Sequence, residues 1–250
     1  MDRKTMLVTG AAGSIGRAIC AELARAGHRV IVADVLEANI PPVVDEVDAL
    51  GGEGVAQPLD VSDPSAVRDA VAALVSRFGA IDGVANNAGV PHVGSIFDTE
   101  LADLERVLRT NTMGEFFVMK ECARHMAERG YGRIVNTASI AGKGFHESRS
   151  SVAYAASKGA IIAMTRSASL ELGPLGVAVN AVCPGHVRTE LYERLLGERG
   201  FEVQGPPART PFRRAAELSE VASVVAFLLS DVAAIVNGQT WNVDGGIVFD

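Results

Sequence analysis

Tyr154 and Lys158 stand one helical turn apart in Tyr154-Ala-Ala-Ser-Lys158, inside a stretch, Val152 to Leu172, whose pattern predicts helix. At that spacing the two side chains share a face and can touch. An ammonium held beside a phenol favours its ionised form and readies the hydroxyl to exchange a proton at a substrate carbonyl. An isolated pair of this kind is more often a half-buried ring and a solvated amine. The rest of the chain decides for chemistry.

A second constellation lies near the start. Thr9-Gly10-Ala-Ala-Gly13-Ser14-Ile15-Gly16 follows a short apolar strand and opens a helix, so that backbone N–H groups from Gly10 through Ser14, Ile15 and Gly16 can face a pyrophosphate at the positive helix end. Such a turn alone can be only a strand-to-helix corner. Here an acid follows, Asp34 at the end of Val30-Ile-Val-Ala-Asp34, where a carboxylate can accept both hydroxyls of a ribose. A carboxylate there repels a 2′-phosphate, and neither Val35 nor any residue from Ala11 to Ile15 supplies a cation to hold one. NAD(H) is expected over NADP(H). Arg17, just inside the helix, reads as a solvated side chain.

Short β-branched runs alternate with longer helical patterns along the whole chain: Met6 to Val8 then Ile15 to Ala26, Val30 to Ala33 then Val43 to Leu50, Val55 to Leu59 then Ala66 to Phe78. Ile81 to Ala85, a helical stretch from Glu100 to Glu128, Arg133 to Thr137, the Tyr154 helix, Val177 to Val182, Leu218 to Leu229 and Gln239 to Val243 continue the rhythm. It predicts an α/β fold, a doubly wound parallel sheet of about seven strands with helices on both faces. All 250 residues are expected to form a single dinucleotide-binding and catalytic domain. Two segments break the pattern: residues 140–151, rich in Gly and Ser, and residues 186–215, with Pro206-Pro207. Both follow strand ends and are expected to serve as substrate loop and lid.

Composition excludes several functions. The net charge is −7 and no Lys/Arg-rich block occurs, which argues against nucleic acid and anionic membranes as partners and for a small-molecule substrate. Cys20, Cys122 and Cys183 are too scattered for a disulfide framework or a metal site. The opening apolar run ends at Thr9-Gly10, and Val221 to Leu229 is too short to span a bilayer, so a cytoplasmic protein is expected.

With Asn86-Asn87-Ala88-Gly89, Asn111, Ser139 in Ile134-Val-Asn-Thr-Ala-Ser139, Tyr154 with Lys158, Pro184-Gly185 and Val243-Asp-Gly-Gly246 in that order, the chain resembles the short-chain dehydrogenase/reductase family from first strand to last. One departure is Ser14, where the family usually has Gly. The resemblance implies that Tyr154 exchanges the proton with the substrate oxygen, that Lys158 holds the nicotinamide ribose, that Ser139 hydrogen-bonds the substrate oxygen and that Asn111 supports a water relay. It also implies Asp60 and Val61 at the adenine, Asn87, Ala88 and Gly89 along the adenosine half, and Val187 and Thr189 against the carboxamide. Read from the residues alone, Asp60 and the Asn86 to Gly89 run are also good capping and turn residues, with Asn86 tying strands together. His92, His146 and His186 are loop histidines and are not expected to be catalytic.

The resulting expectation is an NAD(H)-dependent oxidoreductase interconverting a secondary alcohol and a ketone. The alternative within enzymes is a 3-oxoacyl-carrier-protein reductase, opposed by Asp34 and by Leu175, which stands where such reductases tend to offer a basic residue to their acidic partner. A non-catalytic cofactor-binding protein is opposed by the intact Ser139, Tyr154 and Lys158. The family commonly forms tetramers through the two long helices after the fourth and fifth strands, so a homotetramer is expected, with a dimer second, and Phe116, Phe117, Met119 and Met126 as surplus apolar surface.

Overall fold

A computed structural model describes residues 3–145, 151–190 and 210–249. Its seven strands are β1 (Thr5–Thr9), β2 (Arg29–Asp34), β3 (Glu53–Pro58), β4 (Gly83–Asn86), β5 (Gly132–Thr137), β6 (Val177–Pro184) and β7 (Thr240–Val243), in the order β3-β2-β1-β4-β5-β6-β7 with every pairing parallel. The order reverses between β1 and β4, so the crevice beyond their carboxyl ends is where a ligand of such a sheet sits.

The strands are apolar runs because both faces are covered. Met6, Val8, Val30 and Val32 pack against Ile19 and Leu23 of α1 (Ser14–Arg25), against α2 (Ile40–Ala49), and against Val225 and Leu228 of α7 (Leu218–Leu229). Their neighbours of opposite parity, Leu7 and Ile31, join Val84 and Ile134 on the other face. There they meet Val67 and Val71 of α3 (Pro64–Phe78) and Val118 and Met126 of α5 (Glu115–Arg129). The two-residue alternation of a strand thus sorts the core into two layers.

Local signals account for the helix ends. Asp63 caps α3 by accepting from the amides of Ser65 and Ala66, Pro64 takes the first helical position, and Gly79 closes the helix in the left-handed region. Helix α2 begins at Ile40, ahead of the expected Val43, because a proline in the first turn forfeits no intrahelical bond. The helical stretch expected over 100–128 divides into α4 (Leu101–Val107) and α5, joined by a π-helical segment, Leu108–Gly114. Helix α6 (Val152–Leu172) carries Tyr154 and Lys158.

One expectation is corrected. Met119 and Met126 are not surplus surface: both are buried, Met126 completely, in the chain's own core, and only Phe116 of the four is exposed. Helix α5 turns its methionines to the sheet, where Gly132 leaves the room that Met126 fills. Within the expected substrate loop and lid, residues 146–150, including His146, and 191–209 lie outside the described residues. Among the described residues no helix is long and apolar enough to cross a membrane.

Candidate active site

The turn after β1 is held by contacts that leave no room for a side chain at two points. Gly10 has φ +62°, and a Cβ there would lie 2.8 Å from Ala88 Cα; a Cβ on Gly16 would lie 2.1 Å from the Gly10 carbonyl oxygen. Glycine is therefore required for the turn to fold back on α1. Ser14 sits where α1 begins, Gly13 takes the cap position, and Arg17 N donates to Gly13 O at 2.8 Å, so Ser14 in place of the usual Gly leaves the turn intact.

Asp34 is nearly buried beside this turn. One carboxylate oxygen accepts from Ala12 N at 3.0 Å and the other from Leu36 N at 2.9 Å, which fixes the group at the lip of the crevice. Arg17 is exposed, as expected, and its guanidinium makes a surface ion pair at 2.5 Å with Glu46 near the C-terminal end of α2. Asn87 latches β4 to the turn, its side-chain amide donating to the carbonyls of Gly10 (3.1 Å) and Thr9 (3.3 Å), while Thr9 Oγ1 accepts from the amides of Asn87 and Ala88. Asn86 donates to Asn136 Oδ1 at 2.9 Å and ties β4 to β5. Asp60 is exposed and accepts from Ser62 N, and Val61 is buried against Gly114.

At the other end of the crevice, Ile15, Ser139, Tyr154, His186, Val187 and Thr189 line a cleft of about 270 Å³. Residues from the first turn, from the end of β5, from α6 and from the segment after β6 are thereby brought to one place. Ser139 Oγ accepts from Ala141 N at 3.2 Å and so starts a short 3₁₀ turn, Ile140–Lys143, that sets its position beside Tyr154. Tyr154 is half-buried in the first turn of α6.

Asn111 and Lys158 stand behind the cleft. Asn111 is fully buried in the π segment, accepting from Val90 N (2.8 Å) and donating to Val90 O (3.0 Å) and Ser157 Oγ (3.1 Å). A π bulge widens the helix and recurs at functional sites; here it turns Asn111 toward α6. Gly89 approaches both groups, since a Cβ on it would lie 3.3 Å from Asn111 Oδ1 and 3.7 Å from Lys158 Nζ.

Lys158 does not lie against the Tyr154 hydroxyl as the helical spacing alone suggests. Its ammonium is 5.9 Å from the Tyr154 ring centroid and donates inward, to Thr137 O at 2.5 Å and to Glu115 Oε1 at 3.4 Å. The difference has a physical cause: a carbonyl at the end of β5 and a buried carboxylate outcompete a half-exposed ring for the amine. Burial pushes the Glu115 carboxyl up to about 8, against the opposing pull of Lys158. Sequence reasoning missed Glu115, although an acid directly before the apolar run Phe116-Phe117-Val118-Met119, one turn from Asn111, was a usable signal. Cys20, Cys122 and Cys183 are buried, far apart in the two-layered core.

A family model described as Enoyl-(Acyl carrier protein) reductase matches residues 10–248. Among curated proteins the chain is 39% identical over 254 residues to a short-chain dehydrogenase/reductase of Armillaria gallica, covering 99% of this chain and 97% of that one. It is 34% identical over 248 residues to a 3-oxoacyl-[acyl-carrier-protein] reductase of Thermotoga maritima, covering 99% of each. Among solved structures, NAD⁺-bound xylitol dehydrogenase superposes with a TM-score of 0.90 at 35% identity, covering 97% of this chain and 98% of that one. The chain belongs to the short-chain dehydrogenase/reductase family: it is a Rossmann-fold oxidoreductase of a family that binds a nicotinamide cofactor and acts on small molecules.

Proposed function

We propose that this protein is an NAD(H)-dependent oxidoreductase that interconverts a secondary alcohol and a ketone. The observation that carries the proposal is the common cleft of Ser139, Tyr154, Val187 and Thr189, which Ile15, from the helix that the glycine turn opens, also lines. The residues fit a dinucleotide: helix α1 opens at the turn with no side-chain cap on its first N–H groups, and Asp34 stands fixed beside it.

The nicotinamide supplies the hydride acceptor or donor, which no side chain can provide. Tyr154 takes the hydroxyl proton of the alcohol, or returns it to the ketone. Ser139 Oγ hydrogen-bonds the same oxygen and orients it. Lys158 holds the ribose and stabilises charge at Tyr154, and Asn111, locked between Val90 and Ser157, supports a water path to that lysine. Gly10, Ser14, Ile15 and Gly16 would line the pyrophosphate, Asp60 and Val61 the adenine, Asn87, Ala88 and Gly89 the adenosine half, and Val187 and Thr189 the carboxamide. Residues 140–151 and 186–215 would form substrate loop and lid of one catalytic domain.

NAD(H) is proposed because Asp34 is fixed beside the glycine turn, where its carboxylate would accept ribose hydroxyls and repel a 2′-phosphate; the NAD⁺-bound xylitol dehydrogenase supports it by likeness. The likeness to a carrier-protein reductase keeps that substrate as a second reading, opposed by Leu175, which is apolar and half-exposed where a basic contact would be needed. We also infer a homotetramer: Phe116 and Leu175 flank an apolar groove between α5 and α6, and a monomer in sedimentation at micromolar concentration would refute it.

A panel of secondary alcohols with NAD and NADP at mildly alkaline pH tests the reading. Turnover with NAD on at least one of them, absent with a non-catalytic protein, is expected; no dinucleotide reduction with any would overturn it.

A further inference from the structure

Glu115 is an acid at a place that an amphipathic helix gives no reason to occupy with one. It opens α5 directly after the π segment, is 2% exposed, and presents Oε1 to Lys158 Nζ at 3.4 Å. Its other oxygen, Oε2, is buried and has no hydrogen-bond partner among the described residues. A buried carboxylate oxygen without a donor is costly, and the carboxyl can relieve that cost by holding a proton.

Few charged or titratable groups face this acid. From α6 comes Lys158, with the Tyr154 ring 5.9 Å from the same ammonium. Strand β4 presents Asn86, which donates to the Glu115 backbone carbonyl, and β5 presents Asn136 and the Thr137 backbone. The π segment presents Asn111, bonded to Ser157. None of the amides titrates, so the state of Glu115 is set first by its burial, then by where the Lys158 ammonium goes, with a smaller opposing pull from the Thr137 backbone.

We propose that Glu115 is a positioning residue that competes with the cofactor for Lys158. As a carboxylate it keeps the ammonium turned inward, beside Thr137 O. As a carboxylic acid it lets the ammonium serve the ribose and Tyr154. This rests on the ribose-holding role given to Lys158 above. The step is a protonation of Glu115: the proton comes from solvent and only an O–H bond forms. With burial already pushing the carboxyl up to about 8, loss of the neighbouring cation raises its proton affinity further. Cofactor binding at alkaline pH should therefore draw a proton in, while at lower pH the acid form is already present and no uptake is needed.

The test is titration calorimetry of the full-length protein with NADH, whose uncharged ring does not itself expel a proton, in pairs of buffers of different ionisation enthalpy. At pH about 6.5 the binding heat should be nearly independent of buffer, and at pH about 9 it should report uptake of a large fraction of one proton per site. NADH affinity should fall by up to about tenfold per pH unit above about 8. Glu115→Gln keeps the shape and loses the titration, so it should show neither the uptake nor that slope. A buffer-independent heat at pH about 9 in the unsubstituted protein, or the same uptake in Glu115→Gln, would overturn the proposal while leaving the oxidoreductase reading in place. Failure to bind either NADH or NADPH would remove both.

Discussion

Around the turn after β1, side chains serve backbone: Asp34 holds the amides of Ala12 and Leu36, and Asn87 holds the carbonyls of Thr9 and Gly10. At the opposite end of the crevice, side chains that carry charge or protons meet one another and the core, as Lys158 does with Glu115 and Asn111 with Ser157. The first region is specified by shape, and a Cβ in the wrong place destroys it. The second is specified by which group holds a proton, and it can change state with little change of shape. Substitutions in the two regions should therefore fail in different ways.

The largest effect belongs to the second region. Tyr154→Phe keeps the ring and loses the hydroxyl, and turnover should fall by roughly 10²- to 10⁴-fold while NADH binding, followed by fluorescence, persists. Parallel loss of binding would mean that the tyrosine is structural. Lys158→Met should lower turnover comparably and weaken the cofactor complex as well, since one ammonium serves both phenol and ribose; unchanged affinity would separate those roles.

In the first region, Gly16→Ala forces a methyl onto the Gly10 carbonyl. Overpacking of this kind costs about 1–3 kcal/mol, and for a domain of this size each kcal/mol lowers the melting temperature by about 2–4 °C. Dinucleotide affinity should drop with it, whereas an unshifted melting curve and intact binding would show that the turn has slack. Asp34→Ala should be milder: NAD is expected to be preferred over NADP by at least about tenfold, roughly 1.4 kcal/mol, and the substitution should narrow that ratio in kcat/KM. A ratio unaffected by it would place the specificity elsewhere.

The smallest effect is a slope. Because folding raises the Glu115 carboxyl from 4.5 to about 8, the folded state binds its proton more tightly than the unfolded chain. That contribution is complete below about 4.5 and is lost as pH rises through about 8. Denaturant midpoints of the unsubstituted protein should decline over that window more steeply than those of Glu115→Gln, and equal slopes would show that the carboxyl titrates normally.

The shape-specified region was largely legible in the chain. The strand and helix alternation, the glycine turn and the acid ending β2 are local patterns, and local patterns survive folding. The reaction end was legible only as residue types. That Tyr154 and Lys158 share a helix face follows from their spacing, but the inward course of the ammonium depends on a carbonyl of β5 and an acid of α5, remote in sequence from α6. Met119 and Met126 were misplaced on the surface for a related reason, since which face of α5 meets the sheet is decided by partners such as Gly132.

The most direct measurement follows the hydride itself. The best secondary alcohol from the panel, deuterated at its carbinol carbon, is incubated with NAD and the protein, and the reduced cofactor is analysed by mass spectrometry. The expected result is NADH carrying the deuterium, formed rapidly by the unsubstituted protein and at a rate lowered by orders of magnitude in Tyr154→Phe. Unlabelled NADH, or labelled NADH formed equally fast by Tyr154→Phe, would contradict hydride transfer assisted by this tyrosine.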